Sequence, residues 1–153
     1  MTAAVSWGEF AAAAPAIAER GERLLAHGIA YMATTNRDGA PRVHPFTPLI
    51  SGGRLLAFIG VHTVKYANLR RVGRYAVHAA LGDDDEEFLI IGRAVESNDW
   101  ASQILAAAAA REIGMTSKEH VLFELRIERA HWAVWEGLGT PDIRRRAERW
   151  PEP

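Results

Sequence analysis

A hairpin signal at residues 37–40 is the feature that most limits what this chain can fold into. The tetrapeptide RDGA contains Asp38-Gly39, a pair typical of tight turns between antiparallel strands. It separates GIAYMATTN (28–36), which is rich in apolar and β-branched residues, from PRVHPFTPLI (41–50). The sequence therefore predicts that these two segments are antiparallel neighbours in a sheet.

Hydrophobic periodicity and turn residues predict the other elements. Strands are also expected over 54–60, 74–81, 88–97 and 120–137, and helices over 15–27, 63–72 and 99–113. The charged tail TPDIRRRAERWPEP is expected to be either a short helix or disordered. Because hairpins and alternating strands predominate, the order predicts a mainly β (α+β) protein, an antiparallel barrel with helices packed outside. Residues 1–153 are expected to form one domain.

Composition excludes several classes of protein. Eighteen basic and nineteen acidic residues give a net charge of −1, whereas a general nucleic-acid binder would be clearly basic. The chain has no cysteine, so disulfides, thiolate metal sites and cysteine nucleophiles are excluded. Its six histidines lack the spacing of metal ligands, and no metal site is predicted. No run is long and apolar enough for a membrane span, and the N-terminus lacks a signal-peptide pattern, so a soluble cytoplasmic protein is expected.

A polar, cationic turn, VHTVKYANLRR (61–71), directly follows the apolar strand LLAFIG. A helix that begins near Thr63 or Val64 leaves backbone N–H groups without intrahelical partners, and these groups favour an anion. Lys65 lies in the first turn, where a cation opposes the helix dipole unless an anion is bound. Two interpretations stay open: a phosphate site, or an ordinary N-cap at Thr63 beside solvated cations.

The segment 41–50 contains Pro41, Pro45 and Pro48, none of which can donate to a neighbouring strand. It should therefore be an edge or irregularly paired strand whose other backbone groups need partners. The polar rim of a flavin ring would fit against such a strand. Alternatively, the prolines only protect an exposed edge from other chains.

These features together resemble a known family. The strand–DGAP–strand hairpin, the HPF strand and a lysine three residues before Asn-Leu make residues 15–97 similar to the pyridoxamine 5′-phosphate oxidase-like, FMN-binding split-barrel family. The resemblance implies a six-stranded antiparallel split β-barrel with flanking helices. It also implies a homodimer with FMN bound at the subunit interface.

By the same resemblance, the cofactor site can be assigned residue by residue. It implies that the isoalloxazine and ribityl chain lie along Arg42, Val43, His44, Pro45, Phe46 and Thr47. It implies that the ribityl chain and phosphate are bordered by Phe58, Ile59 and Gly60, that Thr63 and Lys65 bind the phosphate, and that Asn68 braces the turn.

The expected function is that of an FMN-dependent oxidoreductase acting on a small molecule. The sequence leaves open whether NADH or NADPH is its electron donor. Pyridoxamine 5′-phosphate oxidation itself is not expected, because the C-terminal segment lacks the Arg-x-His of true oxidases. A deazaflavin-dependent reductase is one alternative, with Arg70, Arg71 and 144–146 as cations for a more anionic cofactor. A non-catalytic flavin-binding or sensing module is the other, and no catalytic residue is assigned.

Overall fold

An eight-stranded sheet dominates the computed structural model of the chain, which describes residues 3–113 and 119–152. The strands are β1 (Ala30–Thr35), β2 (Pro41–Phe46), β3 (Pro48–Ser51), β4 (Arg54–Gly60), β5 (Arg74–Ala79), β6 (Glu87–Glu96), β7 (His120–Glu136) and β8 (Arg144–Trp150). The helices are α1 (Trp7–Ala13), α2 (Pro15–Leu25), α3 (Val64–Val72) and α4 (Trp100–Ile113). None of these helices is long and apolar enough to cross a membrane.

Consecutive segments of the chain form the two ends of the sheet. Its strand order is β2-β1-β5-β6-β7-β4-β3, every neighbouring pair is antiparallel, and β8 lies beside β7. The first and last strands of this order, β2 and β3, are consecutive in the chain and separated only by Thr47. One bent segment therefore pairs first with β1 and then with β4, as a split barrel requires. The predicted mainly β split barrel with flanking helices is confirmed.

The number of strands differs from the six that were expected. The predicted strand 41–50 is divided at Thr47, where the chain leaves β1 and joins β4. The expectation of a helical or disordered tail is wrong, because residues 144–150 form β8 along β7. Its arginines pair with glutamates, as Arg144 does with Glu136 at 2.6 Å. The Trp150 ring lies 5.2 Å from that of Phe10, between centroids, so the tail packs against α1.

Helix α1 was not predicted, and it closes one side of the core. Ser6 and Glu9 cap it reciprocally: the Glu9 N–H donates to the Ser6 hydroxyl (3.3 Å), and the Ser6 N–H donates to the Glu9 carboxylate (2.7 Å). Trp7 and Phe10 are buried in the core, and the Trp7 ring meets Phe88 of β6 edge-on. Helices α1 and α2 therefore cover the sheet and leave α3 to occupy a separate position near the β1–β2 hairpin.

A bulge allows β7 to serve several neighbours along its length. Ile91 pairs with Arg129, but the next residue, Gly92, pairs with Ile127, so Glu128 is the extra residue. The first part of β7 pairs with β4 and its last part pairs with β8, while β6 runs along its other edge. This arrangement holds β4 in place, and α3 follows directly from the end of β4.

Candidate functional site

Helix α3 begins at a tight turn that follows β4. The Thr63 hydroxyl accepts the Tyr66 N–H (3.2 Å) and donates to the Gly60 carbonyl (2.7 Å), so Thr63 is the N-cap. At the other end, Gly73 terminates the helix with a φ of 68°, a conformation that favours glycine. The remaining N–H groups of the first turn have no acceptor within the helix. The predicted short helix and its capped, amide-rich start are therefore present.

Lys65 points into the protein. It is only 9% exposed, and its amino group donates one hydrogen bond, of 3.1 Å, to the Pro45 carbonyl of β2. Within the described residues no carboxylate lies within 4.0 Å of this amino group. Burial lowers the pKa of Lys65. A nearly buried ammonium group without a counter-ion is costly, and an anion would compensate it.

Strand β2 brings two more basic side chains to the same region. Arg42 and His44 are two residues apart and therefore lie on the same face of β2, where they pair with Thr34 and Met32 of β1, respectively. The His44 Nε2 atom is buried and has no hydrogen-bond partner within the described protein. Burial is the main cause that lowers the His44 pKa, and the positive charges of Lys65 and Arg42 lower it further. Arg42, His44 and Lys65 are called the basic cluster below; the charges of Lys65 and Arg42 both act on His44.

We expect the apoprotein to lose stability as the pH falls below roughly 6.5, the ordinary histidine pKa. The folded-state pKa of His44 is lower, so the unfolded chain takes up a proton first and unfolding is favoured. The loss should begin at the unfolded-state pKa and end once pH has passed below the folded-state value. Urea unfolding between pH 8 and pH 5 (roughly) measures it.

His131 needs a control in this experiment, because burial lowers its pKa as well. We expect His44→Gln to remove part of the pH dependence and His131→Gln to remove a separate part. A His44→Gln protein with an unchanged pH profile would contradict a lowered His44 pKa in the folded protein.

Asn68 joins α3 to the end of β1. Its side-chain amide donates to the Thr34 hydroxyl (3.0 Å) and to the Asn36 side-chain oxygen (3.1 Å). Both Asn68 and Thr34 are buried. This contact ties the middle of α3 to the end of β1.

Asn68→Ala should reduce the free energy of unfolding by about 1–3 kcal/mol, since it removes the partner of a buried hydroxyl. Urea denaturation measures this loss, and the exposed Asn98→Ala is the matched control, expected within about 0.5 kcal/mol of wild type. A double-mutant cycle with Thr34→Val isolates the contact. Additive effects of the two changes would contradict a direct hydrogen bond between these side chains.

The other predicted site residues lie on β2 and β4, except Thr47, which lies between β2 and β3. Phe46 and Ile59 belong to the buried core, and Phe58 and Gly60 of β4 are half-buried. On the opposite face of β2 from His44, the exposed residues include Val43 and Pro45, and Thr47 is exposed where the chain leaves β2. The outer edge of β2 pairs with no other strand in the described structure, as the prolines predicted.

An open cleft of about 700 Å³ lies next to the basic cluster, between α3 and the β1–β2 hairpin. Four arginines line this arginine cleft, together with one carboxylate and several smaller side chains: Arg37, Arg42, Arg70, Arg71, Asp38, Asn36, Val64, Ala67 and Asn68. Of the extra cations considered from the sequence, Arg70 and Arg71 line it, whereas residues 144–146 lie on β8. Arg37 was missed, although its place beside the hairpin turn was a usable signal.

Comparison with solved structures places this geometry among known folds. A Clostridium acetobutylicum protein related to general stress protein 26 (pyridoxinephosphate oxidase family) is similar with a TM-score of 0.63 and 12% identity, over 86% of this chain and 92% of that one. A pyridoxamine 5′-phosphate oxidase-related, FMN-binding protein of Nostoc punctiforme gives 0.56 and 12%, over 90% and 95%. A heme-binding protein of Mycobacterium smegmatis gives 0.60 and 19%, over 82% of this chain and 55% of that protein.

Sequence comparison adds nothing to these structural similarities: no protein-family model matches the chain, and no curated protein matches it either. Identities of 12–19% to the solved structures support a statement about fold. The resemblance predicted from the hairpin, the HPF strand and Lys65 is confirmed at that level. The chain has the fold of the pyridoxamine 5′-phosphate oxidase-like, FMN-binding split-barrel proteins.

Proposed function

We propose that this chain binds a flavin nucleotide, FMN, at the basic cluster and acts as an oxidoreductase on a small molecule. One observation carries the proposal: Lys65, buried and without a counter-ion among the described residues, lies near His44, whose buried Nε2 has no hydrogen-bond partner among them. A phosphate would answer both groups and the free N–H groups of the helix. The fold shared with an FMN-binding protein supports the same ligand.

In this proposal the basic cluster would bind the phosphate of the cofactor, and the edge of β2 would bind its ring. Lys65 and Arg42 would attract the phosphate by their positive charge. Neutral His44, protonated on Nε2, would donate a hydrogen bond from this N–H to an anionic phosphate oxygen. The unpaired edge of β2, from Pro41 to Phe46, offers backbone groups to the polar rim of the ring. A bound flavin supplies hydride and electron transfer, while the protein binds it, orients it and excludes water.

A homodimer is part of this proposal. Ile29, Tyr31 and Val43 are 52%, 48% and 63% exposed, and Tyr31 and Val43 share the outer face of the β1–β2 pair. An apolar face beside the cofactor edge suits a second copy of the chain, which would shelter the ring. Sedimentation of the wild type and of Val43→Lys tests this: we expect a dimer and a monomer, respectively. A monomeric wild type would contradict it.

The visible absorption spectrum of freshly purified protein, with mass spectrometry of the released compound, tests the function. We expect a yellow protein that releases FMN and is bleached by NADH or NADPH without oxygen. A colourless protein that FMN does not stabilise, or a haem spectrum, would overturn the proposal.

Two alternatives within the fold give different outcomes in the same experiments. Tighter binding of a deazaflavin than of FMN would identify the deazaflavin-dependent reductase. Bound FMN that no reductant bleaches would identify a binding or sensing module.

A further inference from the structure

The arginine cleft contains more positive charge than a single flavin phosphate requires. Arg37 and Arg42 reach it from the β1–β2 hairpin, and Arg70 and Arg71 reach it from the last turn of α3. The helix dipole favours cations at that end of α3. It does not account for the two hairpin arginines that line the same 700 Å³ cleft.

The arginines of this cleft are poorly neutralised by the protein. Within the described residues, Arg37 and Arg42 form no ion pair, and Arg71 donates to the Thr35 carbonyl. Arg70 donates to the Tyr66 hydroxyl (3.1 Å) and has Glu96 at 3.7 Å. The one acidic lining residue, Asp38, accepts the Ala40 N–H (3.0 Å) within its own turn.

Within the described residues, most arginines outside the cleft form ion pairs, although Arg111, Arg129 and Arg149 do not. Arg20 pairs with Glu148 at 2.8 Å, and Arg74 pairs with Glu128 at 3.2 Å. Four guanidinium groups around one open cleft repel one another unless an anion lies between them. One guanidinium group can donate two parallel N–H hydrogen bonds to the oxygens of a phosphate. Several guanidinium groups therefore suit a ligand with more than one phosphate.

We infer that the arginine cleft binds a diphosphate group through Arg37, Arg70 and Arg71, next to the phosphate held by the basic cluster, while Arg42, which belongs to both, faces both anions. The inference extends the proposed function, since it places a second anionic group beside the flavin phosphate. A complete diphosphate beside the flavin phosphate would come from a pyridine dinucleotide that donates electrons. A dinucleotide form of the flavin would place only its second phosphate in the cleft, because its first phosphate is the one at the basic cluster. In both cases phosphate oxygens face the arginines of the cleft.

Calorimetric titration of the full chain with pyrophosphate and with inorganic phosphate tests the inference without requiring a flavin. The test variant is Arg37→Gln/Arg70→Gln, which leaves the basic cluster intact. The matched control is Arg129→Gln/Arg149→Gln, which removes two exposed arginines that do not line the cleft. Low ionic strength keeps the contribution of exposed charges measurable.

We expect wild type to bind pyrophosphate at least about tenfold more tightly than phosphate, because more charge-assisted contacts form. The test variant should lose roughly ten- to a hundredfold of the pyrophosphate affinity, and the control variant less than about threefold. Equal binding of the two anions, or equal losses in both variants, would overturn the inference.

Separate titrations distinguish this inference from the proposed function. FMN affinity should stay within about threefold of wild type in the test variant, since its two residues lie outside the basic cluster. An equal loss for FMN and pyrophosphate would overturn a second site, because the arginines would then bind the flavin phosphate itself. If wild type binds pyrophosphate but not FMN, the proposed function fails and the cleft assignment stands.

Two further titrations identify the compound that supplies the diphosphate. FAD is titrated into protein without cofactor, and NADH or NADPH into protein saturated with FMN. A selective loss for FAD in the test variant supports the flavin dinucleotide, and a selective loss for NADH or NADPH supports the electron donor. Unchanged affinity for all three nucleotides would overturn the assignment to a nucleotide diphosphate.

Discussion

Replacing Lys65 by methionine is expected to weaken FMN binding roughly ten- to a hundredfold without destabilising the apoprotein. The amino group is buried and has one hydrogen bond, to the Pro45 carbonyl, but no carboxylate partner within the described residues. Removing a desolvated charge offsets the loss of that bond, and methionine fills a similar volume. The free energy of unfolding should therefore stay within about 1 kcal/mol of wild type or rise.

Fluorescence titration with FMN and urea denaturation of the apoprotein measure the two effects separately. Lys65→Arg is the control, because it keeps the positive charge and should keep FMN affinity closer to wild type than Lys65→Met does. A Lys65→Met protein that loses several kcal/mol of stability but binds FMN normally would make Lys65 a structural residue. The basic cluster would then no longer support a phosphate site.

Gly92→Ala is expected to be among the most destabilising single changes, at about 3 kcal/mol. A Cβ atom at this position would lie 1.9 Å from the Arg126 carbonyl oxygen and 2.9 Å from its carbon. These are backbone atoms of β7 at the bulge, so they cannot move aside as the end of a flexible side chain can. The β6–β7 pairing would have to open locally.

Urea denaturation of Gly92→Ala and of Gly8→Ala gives the comparison. At Gly8, in α1, the nearest backbone atoms to an added Cβ lie at 3.4 Å, an ordinary contact, and alanine favours helix. We expect Gly8→Ala to stay within about 1 kcal/mol of wild type or to gain stability. A similarly small effect at Gly92 would show that β7 does not bulge against β6 at this position.

Local signals predicted the elements that depend on local sequence. Asp38-Gly39 specified the hairpin, and Thr63 marked the start of α3. Helix α1 also had a local signal, the Ser-x-x-Glu spacing of Ser6 and Glu9, which was not used. Strand β8 had none, because it exposes charge along most of its length and forms only when β7 offers partners such as Glu136.

The candidate site also contains some features that local sequence indicates and others that depend on packing between distant segments. The sequence placed Lys65 in the first turn of the predicted helix, and the period of two along a strand explains why Arg42 and His44 lie on one face of β2. That Lys65 turns inward to Pro45, and that the His44 nitrogen lacks a partner, depends on how α3 packs against β2. Packing across 20 residues of chain, between Pro45 and Lys65, has no period or motif that a single sequence reveals. Arg70 and Arg71 were considered from the sequence, but their meeting with Arg37 and Arg42 in one cleft was missed for the same reason.

The dissociation constants of wild-type protein for FMN and for riboflavin, measured side by side, test the phosphate assignment most directly. The two compounds differ only in the phosphate, which the basic cluster and the start of α3 are proposed to bind. We expect FMN to bind at least about a hundredfold more tightly, since several charge-assisted hydrogen bonds are lost with riboflavin. Affinities that agree within about threefold would contradict a phosphate site at Arg42, His44 and Lys65.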